Sequence, residues 1–503
     1  MTAVAISGLP AVSRARKALA RLVAATGSDQ DCLLPAALLA VGDGDSRRMA
    51  PGLLARYGLR APAYGRENPR RYRWGLGFRA EVGHPTYAAT AARVGWWRPR
   101  EADFLAERPG WYAKRLVLPA ALATQFEFWG RIADDPAHPS HAAAKALLDE
   151  AQQVAEADLA AWILAADPWA DTFALWLLTG YPHPAARLRD LIFALAVRYA
   201  QLAIRDGAVR GIRYPFFGEP LPSASAHLAR SLWRLGIYPT LLPRLLELVR
   251  FAQQPDGGWA DPGQPSDVLT TLAAGDVLAT LDPRFDPAPA IDFMVQRQEA
   301  GGWWRALNPE VPWLTAAVAD WIERCGQPFT DRFAWPELPV WSRDRTTGLP
   351  TMAVFDELAI ALAGMPGLAQ APLEAAFIDL AGFGEFNNRR GMDAGDAALA
   401  AYAAALRAVP RTMVIRQGGD ELLVLGPPGV TGVLEPQLRG FLGDWQDAAE
   451  RVGIPRGEVV PRILLACGAA GEIRELRGAL GTAIGVMKKA AADPGPMGVM
   501  LWL

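Results

Sequence analysis

The chain has few cysteines and no long hydrophobic run, and both absences narrow what it can be. Its 503 residues include three cysteines, Cys32, Cys325 and Cys467. An odd number of widely spaced cysteines fits a reducing compartment and offers neither a disulfide framework nor a metal cluster. No window reaches the roughly 18 uncharged apolar residues of a membrane helix, and the first residues lack the pattern of a signal peptide. We therefore expect a soluble, cytoplasmic protein with no membrane span.

The sequence also lacks a strong net charge. Its 51 basic residues nearly balance its 53 acidic residues, which leaves a formal charge of −2. A chain without an overall basic field, and without a clear basic patch, does not favour nucleic acid as a partner. The near-zero net charge does not exclude small nucleotides as ligands. The length and the 51% of apolar residues suffice for about two to three domains with separate cores.

One short stretch, RQGGDELLVL (Arg416 to Leu425), carries the clearest chemical pattern. Apolar residues on either side predict two short strands, and residues 417–420 predict the tight turn that joins them. Asp420 and Glu421 are then expected at the hairpin tip, exposed to solvent on a rigid support.

A third carboxylate is expected beside this hairpin. The segment FIDL (Phe377 to Leu380) predicts a buried strand that places Asp379 near its end. Carboxylates on neighbouring strand ends are suitable ligands for Mg²⁺, or for Mn²⁺, with phosphate oxygens completing the coordination shell.

Five motifs in this order resemble the GGDEF domain, the catalytic module of diguanylate cyclases. They are DRTTGLP (Asp344 to Pro350), the long motif from Ala375 to Leu399, RQGGDE (Arg416 to Glu421), LLACGAA (Leu464 to Ala470) and Lys488. The resemblance implies that residues 344–503 form an α/β domain with a ferredoxin-like, palm-type nucleotide cyclase core. It also implies GTP as the substrate and a homodimer or higher oligomer for catalysis, since each domain holds one GTP.

The resemblance assigns roles to individual positions. Asp379, Asp420 and Glu421 match the catalytic, metal-binding acids, and Leu380 matches the residue whose main-chain carbonyl also binds the metal. The implied substrate-binding residues are Asn387 and Asp396 at the guanine base, Gly382 and Phe383 in the phosphate loop, Gly418 and Gly419 where the triphosphate approaches the backbone, and Arg416 and Lys488 as basic groups near the phosphates.

This sequence departs from the family pattern at several positions. Ala381 replaces the second acid of the strand motif, and Gly384 and Ala492 replace two basic residues near the phosphates. The family's product-inhibition motif, Arg-x-x-Asp, would fall at residues 409–412 and is missing. Two readings follow. One is an active cyclase that condenses two GTP into cyclic di-GMP or a related dinucleotide, and the alternative is a degenerate domain that binds GTP or a cyclic dinucleotide as a sensor.

Ahead of this domain lies an internal repeat. Residues 254–278 recur as residues 298–322 with a spacing of 44, which pairs Trp259 with Trp303, and a fainter copy ends near residues 222–233. Repeats of this length predict stacked helical pairs. The repeat resembles the QW motif of the α/α-barrel of squalene-hopene cyclases, other terpene cyclases and protein prenyltransferases. The resemblance implies an all-α toroid over residues 116–327.

The acid motifs of terpene cyclases do not occur, so a terpene cyclase-like activity is the weakest alternative. We expect instead that the toroid is a regulatory domain whose apolar interior binds an apolar, isoprenoid-type ligand. The expected organisation is a helical, loop-rich region (1–115), the toroid (116–327), a Pro- and Trp-rich linker (328–343) and the cyclase-like domain (344–503).

Overall fold

The computed structural model describes residues 10–19, 21, 168–180, 186–213, 219–237, 240–304, 312–336, 343–489 and 499–503, with scattered positions between 133 and 156. Most of the region 1–115, the boundary at 115 and 116, linker residues 337–342 and Ala492 lie outside these residues. The chain divides into two compact units. One consists of residues 1–232, 244–279 and 285–328, and the other of residues 233–243, 280–284 and 329–503.

Before residue 329 the described chain is mainly helical. Residues 10–19 are helical, and the longer helices are α1 (Pro168–Leu178), α2 (Ala186–Leu202), α3 (Pro222–Leu235), α4 (Leu242–Phe251), α5 (Val268–Leu281), α6 (Ala288–Arg297) and α7 (Pro312–Cys325). Strands β1 (Ile204–Arg205) and β2 (Ala208–Val209) form a hairpin. No described helix has the length and apolar character that crossing a membrane requires.

The two clearer copies of the internal repeat share equivalent contacts in the structure. The spacing between their equivalent turn residues differs from the predicted spacing of 44. The indole of Trp259 donates to the Val249 carbonyl at 2.7 Å, and the indole of Trp304, not of Trp303, donates to the Met294 carbonyl at 2.7 Å. The equivalent of Trp259 is therefore Trp304, one residue beyond the predicted spacing of 44.

The glutamines and glycines of the turns agree with this corrected alignment. Gln253 donates to the Gly257 carbonyl, and Gln298 donates to the Gly302 carbonyl, both at 3.0 Å. Gly257 and Gly302 both have positive φ, 86° and 91°, which favours glycine at each turn. The sequence alignment was wrong here because the loop after the second tryptophan is one residue shorter, which a fixed spacing hides.

One hydrogen bond near the fainter copy at residues 222–233 is equivalent to a bond in the two clearer copies. In α3, α5 and α7 the fourth residue bears a hydroxyl that accepts a backbone N–H from the segment before the helix. The pairs are Ser225 with Ile212 (3.3 Å), Thr271 with Trp259 (2.9 Å) and Thr315 with Trp304 (3.1 Å). Helices α3, α5 and α7 thus share the same hydrogen bond near their first turn, and the arrangement of helical pairs in an α/α toroid stays a prediction.

The other elements belong to the second unit. They are helices α8 (Phe329–Arg332), α9 (Met352–Gly364), α10 (Pro366–Ala369), α11 (Phe383–Arg390), α12 (Met392–Arg407), α13 (Leu434–Arg451) and α14 (Ile473–Lys489), and strands β3 (Pro372–Ala381), β4 (Met413–Gly418), β5 (Glu421–Leu425), β6 (Val460–Ala469) and β7 (Val499–Trp502). The sheet order is β4-β5-β3-β6-β7.

The order of the first four strands confirms the α/β prediction for this part of the chain. Strands β3, β4, β5 and β6, with their intervening helices, follow a βαββαβ sequence in which β3 and β5 are central, as in ferredoxin-like folds. All their pairings are antiparallel, whereas β7 runs parallel to β6. The sheet is therefore mixed.

The two faces of β3 are covered differently. Ala376, Ile378 and Leu380 belong to a buried core that includes residues of α12 and α13. The alternate residues point to the opposite face, where Phe377 lies close to Gly481 of α14. Asp379 shares this second face. The alternation of β3 thus places one carboxylate between the sheet and α14.

Candidate functional site

Asp379 is the most buried of the predicted site carboxylates. It lies near the end of β3, as the sequence predicted, and its side chain is 4% exposed. A carboxylate removed from water requires positive charge or hydrogen-bond donors around it. Two basic side chains supply them. Lys488 approaches Oδ1 and Arg462 approaches Oδ2.

Lys488 joins two of the predicted acids. Its Nζ atom lies 2.6 Å from Asp379 Oδ1 and donates to Glu421 Oε1 at 2.7 Å. Partial burial lowers the pKa of Lys488, but the hydrogen bonds to Asp379 and Glu421 outweigh it, so the pKa is raised overall. Lys488 therefore stays charged at neutral pH and holds the end of α14 against the sheet.

The hairpin is tighter than predicted. Strand β4 continues to Gly418 and β5 begins at Glu421, so only Gly419 and Asp420 form the turn. Gly419 has a φ of 53°, which a residue without a side chain adopts easily. The predicted turn was too long, because residues 417 and 418 belong to β4, whose pairing is irregular there, rather than to the loop. Glu421 is consequently a strand residue with a fixed direction.

Asp420 lies in the electrostatic field of Asp379. Burial, followed by the negative charge of Asp379, raises the pKa of Asp420, while the charge of Lys488 and a backbone hydrogen bond with Leu380 oppose this increase. A cation bound beside Asp420 and Asp379 would offset the repulsion that raises the pKa of Asp420. The sequence predicted that Asp420 is exposed to solvent, but in the structure it is half-buried.

Glu421 has a second support besides Lys488. Its Oε2 atom accepts a hydrogen bond of 3.4 Å from Gln417, and the side-chain oxygen of Gln417 accepts one of 2.8 Å from Arg477. The irregularity of β4 at Gln417 lets this side chain reach Glu421. The orientation of Glu421 is thus set from both β4 and α14.

Arg416, predicted to contact the phosphates, has other partners in the structure. It donates to Asp344 at 2.5 Å and to the Gly419 carbonyl at 2.8 Å. Burial raises the pKa of Asp344, but hydrogen bonds from Thr347 and Arg416 outweigh it, and the pKa is lowered overall. Arg416 therefore fixes the hairpin turn to the first motif of the domain.

The predicted phosphate loop lies at the start of α11. Gly382 has a φ of 82°, and a Cβ atom there would lie 2.4 Å from the Glu458 carbonyl oxygen, so only glycine fits. The Phe383 side chain is buried in the core. The backbone N–H groups of this loop can donate to a ligand, because the first N–H groups of a helix lack partners within the helix.

The two predicted base-binding residues lie on either side of Gly395. A Cβ atom on Gly395 would lie 1.9 Å from Asn387 Oδ1, so this glycine makes room for the amide. Asn387 Oδ1 is buried and has no hydrogen-bond partner within the described part of the chain. Asp396, the next residue after Gly395, is exposed. A buried amide oxygen without a donor fits a ligand that brings an N–H group.

The donor set suits a hard divalent cation. Asp379 and Asp420 offer carboxylate oxygens close to the Leu380 main chain, and these are ligands of the kind that Mg²⁺ and Mn²⁺ prefer. Within the described ranges no three acidic, histidine or cysteine side chains cluster tightly enough to hold a metal alone. The residues therefore fit an ion that completes its shell with phosphate and water oxygens.

Arg462 was missed by sequence reasoning. It faces Asp379 across the β3–β6 pair, and its Nη1 atom lies 3.3 Å from Asp379 Oδ2. The available signal was an arginine within the apolar run VVPRILLACGA, residues 459–469. Which side chain it faces depends on strand register, which the sequence does not state.

A family comparison agrees with this geometry. Residues 341–429 match the model of the family described as diguanylate cyclase, GGDEF domain. The matched span contains the hairpin and Asp379, while Arg462 and Lys488 lie beyond it. A search of curated proteins finds no match. None of the comparisons supports the predicted relationship of residues 116–327 to terpene cyclases.

Solved structures with similarity to this chain include a diguanylate cyclase and two proteins described by their GGDEF domains. Diguanylate cyclase SiaD, solved with its activator SiaC from Pseudomonas aeruginosa, is 22% identical over 32% of this chain and 62% of its own, with a TM-score of 0.28. The coiled coil and GGDEF domain of DgcB from Caulobacter crescentus, in complex with c-di-GMP, is 17% identical over 32% of this chain and 85% of its own, with a TM-score of 0.28. The GGDEF domain of YfiN (TpbB) from P. aeruginosa is 25% identical over 31% of this chain and 96% of its own, with a TM-score of 0.25. On the family match, residues 341–429 form a GGDEF domain.

Proposed function

We propose that this protein is a diguanylate cyclase that condenses two molecules of GTP into cyclic di-GMP with Mg²⁺ or Mn²⁺. The observation that carries the proposal is the buried carboxylate of Asp379 beside Asp420, within a span that matches the GGDEF family. In the proposed reaction the 3′-oxygen of each GTP forms a bond with the α-phosphorus of the other. The bond to the β-phosphate breaks, pyrophosphate leaves, and the hydroxyl proton passes to solvent.

Asp379 and Asp420, with Glu421 and the Leu380 carbonyl, are the residues that would hold the divalent cation. When bound, the cation would neutralise the triphosphate and stabilise the charge that develops on the leaving pyrophosphate. With the cation bound, Lys488 would be available to the phosphates instead of the carboxylates. The backbone of Gly382 and Phe383 offers N–H donors to the phosphate oxygens.

Asn387 and Asp396 are proposed to read the guanine base. The unpartnered Oδ1 atom of Asn387 supports this assignment, since guanine brings N–H donors at N1 and N2. Adenine lacks the N2 amine, so ATP would leave this buried oxygen without a donor. GTP is therefore the proposed substrate.

Two copies of the domain must meet, because each one holds a single GTP and the two nucleotides attack each other. The active species is thus proposed to be a homodimer or a higher oligomer. Regulation by the helical unit, with an apolar, isoprenoid-type ligand, remains a prediction from the sequence alone.

Incubation of the full chain with GTP and either Mg²⁺ or Mn²⁺, followed by mass spectrometry, tests the proposal. We expect cyclic di-GMP from the wild type and at least a 100-fold lower yield from Asp420→Ala, since metal assistance is worth several kcal/mol. Asp393→Asn, an exposed carboxylate in the same domain, serves as the control and should retain activity. GTP binding without any dinucleotide product would overturn the proposal in favour of a nucleotide sensor.

A further inference from the structure

Arg462 is a cation that the GGDEF pattern described above does not assign to the site. It lies on β6 directly opposite Asp379, and its side chain is 17% exposed. Its one contact with the carboxylate is long, with 3.3 Å between Nη1 and Oδ2. Its Nε atom is buried and has no acceptor within the residues that the structure describes.

This guanidinium has unused capacity for an anion. Arginine offers five N–H donors in a planar fork that matches two oxygens of a carboxylate or phosphate. Leaving a buried N–H without an acceptor is unfavourable, so an additional oxygen ligand would stabilise the side chain where it is. The Nε–H group of Arg462, which has no acceptor among the described residues, therefore points to a ligand rich in anionic oxygens.

The position of Arg462 complements that of Lys488. Lys488 approaches Asp379 Oδ1 from α14, while Arg462 approaches Oδ2 from β6. The two cations thus lie on either side of a single carboxylate. A metal ion held by Asp379 would compete with both cations for this carboxylate, and both cations would then be available to the phosphates of the same ligand.

We propose that Arg462 is a phosphate-contacting, substrate-positioning residue that binds the triphosphate of GTP from the β6 side. It thereby replaces positive charge that this chain lacks at Gly384 and Ala492. The inference rests on the proposed function, because it takes GTP as the ligand, and it adds a residue specific to this chain. The competing view is that Arg462 only balances the charge of Asp379.

Nucleotide binding by the full chain separates these two views without requiring turnover. The probe is α,β-methylene-GTP, which cannot release pyrophosphate, measured by calorimetry with Mg²⁺ and compared with GMP. Arg462→Gln should raise the Kd of α,β-methylene-GTP about 10-fold to 100-fold, the range for a lost charge-assisted hydrogen bond. GMP should change less than about 2-fold, since it lacks the terminal phosphates.

Two further variants keep the test sharp. Arg462→Lys retains the charge but loses the fork, and its affinity should lie between those of the wild type and the glutamine variant. It also serves if Arg462→Gln does not fold. Arg389→Gln removes another basic residue of the domain, one that pairs with Glu458, and should leave both affinities unchanged.

Each outcome separates this inference from the proposed function. If the wild type makes cyclic di-GMP while Arg462→Gln keeps its affinity for the triphosphate, only the inference is wrong. An equal loss of GMP and α,β-methylene-GTP affinity also overturns it, since that pattern indicates a distorted site. If affinity for the triphosphate depends on Arg462 but the wild type forms no dinucleotide, the inference survives and the cyclase proposal fails.

Discussion

The Nζ atom of Lys488 lies 2.6 Å from Asp379 Oδ1, so a side-chain cation is paired with the carboxylate proposed to bind the metal. The Lys488 side chain is 34% exposed, against 4% for Asp379. The ammonium group can therefore leave toward solvent or phosphate more easily than the carboxylate can move. Lysine and a divalent cation are expected to compete for Asp379.

This competition gives the first prediction. Among the described basic side chains, Lys488→Met leaves Asp379 with the long contact to Arg462. The free energy of unfolding without metal should therefore fall by about 1–3 kcal/mol. Adding Mg²⁺ should then stabilise the variant more than the wild type, because the ion no longer displaces an ammonium group. Thermal unfolding with and without MgCl₂ measures both effects.

Arg474→Met provides the control for this comparison. Arg474 lies on the same helix and pairs with Asp356 at the surface, so its loss should change neither the stability nor the Mg²⁺ response appreciably. An equal Mg²⁺ effect in Lys488→Met and the wild type would show that the ion does not compete with Lys488.

The second prediction concerns the choice of base. Asn387→Ala should reduce the preference for GTP over ATP about 5-fold to 100-fold, because the partner of the guanine N–H group is lost. The neighbouring Asn388 is exposed and makes a close control, and Asn388→Ala should keep the preference. Competition binding of the two nucleotides gives the ratio. A wild type that binds ATP as well as GTP would contradict the proposed base contact.

The sequence predicted those site residues whose positions follow from local patterns. The apolar segment FIDL predicted a buried strand with Asp379 near its end, and the paired glycines predicted the hairpin with Asp420. The sequence did not predict Arg462, because its contact with Asp379 depends on the register between β3 and β6, which are far apart in the chain. The sequence also did not predict Trp304, because the second copy of the repeat has one loop residue fewer. Its equivalence to Trp259 is visible from the hydrogen bond that its indole donates to a carbonyl ten residues earlier.

The third prediction concerns a buried ion pair in the helical unit. Asp276 on α5 lies 3.2 Å from Arg230 of α3 and 3.1 Å from Arg324 of α7, and the side chains of Asp276 and Arg230 are each 7% exposed. Asp276→Asn removes the carboxylate that Arg230 pairs with among the described residues and leaves the guanidinium buried. We expect a loss of about 3–5 kcal/mol in the free energy of unfolding, measured with denaturant.

Asp320 provides a matched control on α7. It pairs with Arg324 at 2.8 Å, but its side chain is 46% exposed. Asp320→Asn should cost less than about 1 kcal/mol, as is usual for exposed ion pairs. Similar losses in both variants would mean that the Asp276 cluster is not shielded from water.

The last prediction concerns pH. Asp261 is buried and accepts hydrogen bonds from the backbone N–H of Ser223 at 3.0 Å and from its hydroxyl at 2.5 Å. Burial raises the pKa of Asp261 to about 7, and the bonds from Ser223 only partly oppose the increase. The carboxyl group is therefore neutral in the folded protein at mildly acidic pH.

The sign of the effect on stability follows from proton binding. Between the ordinary pKa of 3.8 and the folded value of about 7, the folded state holds a proton that the unfolded state has lost. The contribution of Asp261 is thus fully present below about pH 4 and is lost as the pH rises through about 7, by up to about 4 kcal/mol.

The variant Asp261→Asn tests this effect, because its side chain cannot titrate. The free energy of unfolding of the variant minus that of the wild type should be larger at pH 8 than at pH 5. Asp292→Asn, which changes an exposed aspartate of the same unit, is the control variant. Urea unfolding followed by tryptophan fluorescence at several pH values measures these differences, and parallel curves for the wild type and Asp261→Asn would mean that Asp261 is ionised in the folded protein throughout.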